Sequence, residues 1–232
     1  MGTSNTFPRI AVEANNLKRG IWDNRKQLLG SENVDPIDLI GPEVLAKYLG
    51  YQMKFHEELL TADQTDGQQI AGILDRKNKT IYIAQQFSAQ CRRWTGAHEI
   101  GHILLHDQLI AHRDRPMDGS SRGHRDIFER QADYFAAVWL MPAKLMYEEF
   151  KLRFGHPLQL DSDSHYWLVE NNPKALKEPA TPFDWAMLIA TCENFGGRSL
   201  PSLASRFKVS PTAMAIRIQE LEFFDNRLSS SK

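Results

Sequence analysis

Trp94-Thr95-Gly96-Ala97-His98-Glu99-Ile100-Gly101-His102-Ile103-Leu104-Leu105-His106-Asp107 carries the strongest pattern in the chain. Wound as a helix, it sets Ile100, Ile103 and Leu104 on one side. His98 and His102 stand one turn apart, so both rings leave the same face, a spacing that suits two nitrogen ligands of one metal ion. Glu99 leaves the helix about 100° further round. A carboxylate there can take a proton from a water at the metal without joining the ligand set. H-E-x-x-H thus reads as two ligands and a general base, a hydrolase arrangement. The plainer alternative is two surface histidines and a glutamate on an ordinary amphipathic helix. The helical setting and a carboxylate downstream favour the metal.

Elements are expected on both sides of this helix. Ile10 to Leu29 has apolar residues at helical spacing, with Gly30-Ser31 as its end. Asp35-Pro36 opens a second helix, an N-cap followed by proline at the first helical position. That helix runs to Leu49 with Gly50 as its stop, and Gly41-Pro42 is expected to break it. Tyr51 to Phe55 alternates like a strand. Gln69 to Leu74 and Thr80 to Ala84, joined by the polar run Asp75 to Lys79, read as a hairpin whose first strand offers an edge to an extended peptide. Phe87 or Ser88 starts the H-E-x-x-H helix. A polar loop spans His112 to His124, followed by a helix from Asp126 to Leu140 with Phe128, Ala132, Phe135, Ala136 and Trp139 as its buried stripe. Another helix runs from Pro142 to Phe154, closed by Gly155.

The bulk numbers set limits. The chain has 232 residues, 42% of them apolar and 25% charged, enough for one sizeable core or a domain with an appendage. A net charge of −1 argues against a polyanion-binding chain. Cys91 and Cys192 lack metal or disulfide-scaffold spacing and read as reduced thiols of a cytoplasmic protein. No apolar run reaches membrane-spanning length.

On the Asp126–Leu140 helix, Glu129 and Asp133 share a face. A glutamate there completes a two-histidine, one-glutamate metal site of the catalytic type, which leaves a position for water. An aspartate one turn on can accept the spare ring N–H of a ligand histidine, with His98 the expected partner. A solvated acidic face, with Glu129 paired to Arg125 or Arg130, fits the spacing equally well.

From Gly72 through Pro142 the chain resembles the ImmA/IrrE family of metallopeptidases. The matching pieces are Trp94-Thr95-x-Ala97-His98-Glu99-Ile100-Gly101-His102 with Leu104, Leu105 and His106, then Glu129-x-x-Ala132-x-x-Phe135-Ala136, then Leu140-Met141-Pro142. The resemblance implies His98, His102 and Glu129 as metal ligands and Glu99 as catalytic base. Two positions depart from the family pattern. Asp133 stands where the family often has Asn, and Gly96 replaces a larger residue, which is expected to loosen the helix locally. His106 is expected to pack or hydrogen-bond at the helix end rather than act as a fourth ligand. His112 and His124 read as loop histidines.

The C-terminal third suggests a helical unit. His156 to Pro179 reads as a connection anchored by Trp167 and Leu168. Phe183 to Phe195 is expected as a helix stopped by Gly196-Gly197. Leu200 to Phe207 and a helix from Pro211 to Phe223, capped by Ser210, outline a helix-turn-helix. Arg217 is the one basic residue on the last helix, against Glu220 and Glu222, so docking or packing is favoured over DNA binding through 199–223.

The reading is an α+β fold: a zincin-like metalloprotease core, mostly helical with a small sheet, plus a helix-turn-helix-like C-terminal unit. The expected domains are 1–155, a connecting segment 156–182, and 183–232. The expected activity is endopeptidase, with Zn²⁺ as cofactor, though the donor set also admits Mn²⁺ or Fe²⁺. By resemblance, the protein substrate is a repressor-type helix-turn-helix transcription factor, cut in a stress response or mobile element. The rival readings are a DNA- or protein-binding regulator with a structural metal, and a toxin–antitoxin component.

Overall fold

The computed structural model describes residues 6–59, 69–107, 113–114, 126–155, 158–169 and 179–224. His112 and His124 lie outside these residues. The fold is α+β, mostly helical with a small sheet. It divides into two compact units, Met1–Leu140 and Met141–Lys232.

The first unit runs α1 (Thr6–Asp23), α2 (Arg25–Leu29), α3 (Pro36–Leu39), α4 (Pro42–Tyr48), β1 (Gln52–His56), β2 (Gly72–Asp75), β3 (Thr80–Ala84), α5 (Ala89–Leu105), β4 (Arg113–Asp114) and α6 (Ile127–Leu140). The single helix expected over 10–29 is broken after Asp23. There the Asn24 side-chain amide donates to the Gly20 carbonyl (2.8 Å), a local bond that competes with the helical ladder. Gly41-Pro42 does split the next helix, and Asp35 caps α3 by accepting from the Ile37 N–H at 2.9 Å. Gly50 follows α4 at φ +75, a left-handed conformation that glycine takes without steric cost.

The sheet order is β1-β3-β2-β4, with β1 parallel and β2 antiparallel to β3. The β2–β3 hairpin closes as expected, its turn held by the Asp75 carboxylate accepting from the Asn78 N–H at 2.9 Å. On its far side β2 already pairs with β4, Gly72 opposite Asp114 and Ile73 opposite Arg113. The β2 edge expected for a substrate strand is therefore occupied at those two residues by the chain's own backbone. Residues alternate between faces along a strand. Gly72, Leu74, Ile81 and Ile83 share the face turned to α5, where Gly72 meets Thr95 and Glu99. On the other face Ile73 and Tyr82, together with Phe87, pack against Leu59, Ile70 and Ala84.

Helix α5 lies among α4, α6 and strands β2 and β3, so every residue from Thr95 to His102 is buried. Ser88 caps it by accepting from the Cys91 N–H. Gly96 does not loosen it. The helix is continuous there, and a Cβ on Gly96 would stand 3.0 Å from Met53 Cε and 3.1 Å from Pro42 Cβ. The small residue serves the close approach of α4 and β1. Helix α6 buries Ala132, Phe135, Ala136 and Trp139 as expected, while Phe128 is half-buried. The Trp139 indole donates to the Ile40 carbonyl at 3.0 Å, and Lys18 Nζ donates to the Val138 carbonyl at 2.8 Å, favourable charge at a helix C-terminus.

The second unit holds α7 (Ala143–Phe154), α8 (Ser162–Val169), α9 (Pro182–Thr191), β5 (Asn194–Phe195), β6 (Arg198–Ser199), α10 (Leu203–Phe207) and α11 (Pro211–Glu220). Helix α7, assigned from sequence to the peptidase domain ending at 155, falls in this unit. Its Phe150 ring lies 4.7 Å from Phe223, and Phe154 lies 5.0 Å from Phe195. The expected connection 156–182 contains α8. Leu168 anchors it, but Trp167 is 41% exposed and does not.

Helix α9 ends at Thr191 rather than at Phe195. Gly196 and Gly197, with φ +56 and +73, form the turn of the β5–β6 hairpin instead of a helix stop. Two consecutive positive φ angles suit a two-residue hairpin turn. Ser202 and Ser210 cap α10 and α11. Arg217 on α11 is buried, its Nε donating to the Met141 carbonyl at 3.1 Å and its Nη1 to Glu220 at 2.9 Å. It is not presented to a phosphate.

Candidate metal centre

The site is built where α5 crosses α6. A Cβ on Gly101 would stand 3.0 Å from the Ala132 Cα. Backbones that close bring the two helical faces, His98 with His102 and Glu129 with Asp133, within side-chain reach. Glu129 is turned to the two imidazoles rather than standing on a wholly solvated face. Glu129 Oε2 lies 3.3 Å from His98 Nε2, and Glu129 Oε1 lies 3.4 Å from His102 Nε2. The two Nε2 atoms are 2.9 Å apart. All three ligand atoms lie within 4.8 Å of one another, and among the described residues this is the group that can hold a metal ion.

The donor set fits a divalent cation. Ligands about 2.0–2.2 Å from a tetrahedral ion stand about 3.3 Å from each other, close to the two carboxylate–imidazole separations. Both histidines are buried, whereas the Glu129 side chain is 29% exposed, so the group opens on its carboxylate side. Hydrogen bonds from His102, then His98, hold the Glu129 carboxyl far below the usual carboxylate range, outweighing the opposing effect of burial.

The rings are steered from behind. His98 Nδ1 lies 3.0 Å from Asp133 Oδ1, the partner expected from sequence. His102 Nδ1 lies 2.9 Å from His106 Nδ1, and His106 Nε2 lies 3.0 Å from Gln131 Oε1. His106 therefore hydrogen-bonds at the helix end, as expected, and is not part of the three-residue group. Gln131 was not singled out from sequence. Nor was Arg76, in the hairpin turn, whose Nη2 donates to the carbonyls of His102 (2.5 Å) and His106 (2.6 Å). Both act on residues far away along the chain, and no local spacing signals them.

Glu99 is fully buried, and its carboxylate lies against β2 at Gly72, outside the three-residue group. Burying a carboxylate costs several kcal/mol unless its surroundings compensate the charge, so such a placement marks a functional candidate.

No curated protein matches the chain significantly. Residues 51–157 match the family Peptidase_M78, described as the IrrE N-terminal-like domain. The match spans β1 to the end of α7 and includes all four residues of the H-E-x-x-H and glutamate pattern. That match, just under half of the chain, supports a metallopeptidase domain of the ImmA/IrrE family at residues 51–157.

Proposed function

We propose that this metallopeptidase is a Zn²⁺-dependent endopeptidase, with His98, His102 and Glu129 as ligands and Glu99 as general base. The observation that carries the reading is the convergence of two buried imidazoles and one carboxylate beside a buried glutamate. When bound, the ion supplies Lewis-acid polarisation of the scissile carbonyl and makes water nucleophilic near neutral pH.

The chain's residues supply the rest. His98 and His102 present Nε2, and the carboxylate of Asp133 fixes the His98 ring by accepting from Nδ1–H. Glu99 takes a proton from the attacking water as the oxygen bonds to the carbonyl carbon. It then gives that proton to the departing amine nitrogen as the C–N bond breaks.

The substrate we propose is a repressor-type helix-turn-helix transcription factor, by family resemblance, with cleavage relieving repression in a stress response or mobile element. A substrate strand pairing with β2 at Gly72 and Ile73 takes the place of Arg113–Asp114. Among the described residues no helix is long and apolar enough to cross a membrane. For function we retain the division 1–155, 156–182 and 183–232, in which the last segment docks protein rather than DNA. Arg217 is buried and bonded, and Arg206 pairs with Glu149 at 2.7 Å.

The test is co-expression with the helix-turn-helix repressor encoded beside this gene. The expected result is one cut, lost on chelation and in Glu129→Ala. An intact repressor in the presence of metal-loaded enzyme would remove this substrate class.

A further inference from the structure

His98 and His102 are backed by different groups. His98 has an anionic neighbour, Asp133. His102 has a two-step chain of neutral groups, His106 and then Gln131. We propose that Gln131 is a positioning residue for the metal centre, setting the ring orientation and tautomer of His102 through His106. This rests on His102 being a metal ligand, as proposed above.

The proton positions follow from the atoms that meet. A histidine that gives its Nε2 lone pair to a cation carries its proton on Nδ1. His102 Nδ1–H then donates to His106 Nδ1, which must be the unprotonated nitrogen of its ring. The His106 proton is left on Nε2, where it meets the Gln131 Oε1 acceptor at 3.0 Å. The opposite orientation would put the His102 proton on Nε2, against the cation. An oxygen at Gln131 thus selects the tautomer that leaves His102 Nε2 available.

His106 is held for this task on three sides. It follows the last residue of α5 in an extended conformation (φ −131, ψ 124), which carries its ring off the helical path. Its carbonyl accepts from Arg76 Nη2. Phe128, one turn before Gln131 on α6, stacks edge-on against the ring at 4.8 Å between centroids. His106 is 5% exposed and Gln131 is half-buried, so water is a poor substitute acceptor for the His106 Nε2–H.

Full-length wild type, Gln131→Leu and Gln131→Glu are compared for Zn²⁺ affinity by competition with a chromophoric chelator. The ring-nitrogen signals of ¹⁵N-histidine-labelled, zinc-loaded wild type are recorded alongside. Gln131→Leu keeps the size and removes the acceptor, and is expected to weaken Zn²⁺ binding about 10–100-fold, with the metal-free protein still unfolding cooperatively at a lower midpoint because the buried His106 ring loses the Gln131 oxygen. Gln131→Glu restores an oxygen and is expected to bind at least as tightly as wild type. His106 is expected to carry its proton on Nε2 and His102 on Nδ1. Wild-type affinity in Gln131→Leu, or a zinc-loaded His106 protonated on Nδ1, overturns the relay while leaving the metal site standing. Failure of wild type to bind Zn²⁺ overturns both the relay and the proposed function.

Discussion

Gly72 and Glu99 approach so closely that a Cβ on Gly72 would lie 2.7 Å from Glu99 Oε1, and 2.6 Å from Thr95 Cγ2. Strand β2 passes over the glutamate with no room for a side chain. Gly72→Ala must therefore displace the Glu99 carboxylate or push the strand away. A displacement of about 1 Å at a reacting group can cost about 100-fold. Gly72→Ala is expected to lower peptide cleavage about 10–100-fold while keeping metal binding, since Gly72 and Glu99 lie outside the His98, His102 and Glu129 group. Turnover and metal content of the purified variant check this. Wild-type turnover would mean that Glu99 does not depend on that wall.

Asp133→Ala is expected to weaken metal binding about 10–100-fold, because it removes the acceptor for the His98 Nδ1–H. Asp133→Asn keeps an oxygen acceptor and is expected to lose less. Chelator competition measures both, and equal affinities for wild type and Asp133→Ala would reduce the contact to a surface charge.

Gly101→Ala tests the crossing of α5 and α6. Alanine favours a helix by about 0.5–1 kcal/mol over glycine. Here its Cβ would meet the Ala132 Cα at 3.0 Å. Overpacking of this kind costs about 1–3 kcal/mol. The variant is expected to be less stable in urea and to bind metal more weakly, since the separation of the helices sets the distance from Glu129 to both imidazoles. A gain in stability would contradict the tight crossing.

Arg76→Met removes a guanidinium that caps the last turn of α5. Bonds to charged groups contribute about 1.5–3 kcal/mol when part-buried. The expected loss is of that order, with faster amide exchange at the end of α5. Arg76→Lys, which has one donor nitrogen where Arg76 uses Nη2 for His102 and His106 and Nη1 for the Ile103 carbonyl, is expected to recover only part of it. Unchanged exchange in Arg76→Met would show that the cap does not hold the helix end.

The parts of the site that were legible in sequence are those written in local spacing. His98 and His102 four apart, and Glu129 and Asp133 four apart, each define a helical face without knowledge of the rest of the chain. The Asp75–Lys79 turn and the caps at Asp35 and Ser210 are local in the same sense. What could not be read depends on which faces meet. Gln131 gains its partner only because α6 crosses α5 at Gly101, and Arg76 because a hairpin turn reaches the end of α5. Gly196-Gly197 was misplaced for a different reason. Positive φ ends a helix or turns a hairpin equally well, and only the pairing of Asn194 with Ser199 decides between them. Trp167 shows the limit of composition, since an aromatic ring in a polar segment does not say which side of its helix is covered.

The most direct test sets Glu99→Gln beside wild type, measuring metal content and cleavage of the same protein substrate in one experiment. Glutamine keeps the size of the side chain and cannot accept the proton. The metal is expected to stay at wild-type occupancy, because Glu99 lies outside the His98, His102 and Glu129 group. Turnover is expected to fall about 10²–10⁴-fold, the usual contribution of a positioned acid–base group. Cleavage at the wild-type rate by metal-loaded Glu99→Gln would contradict the account.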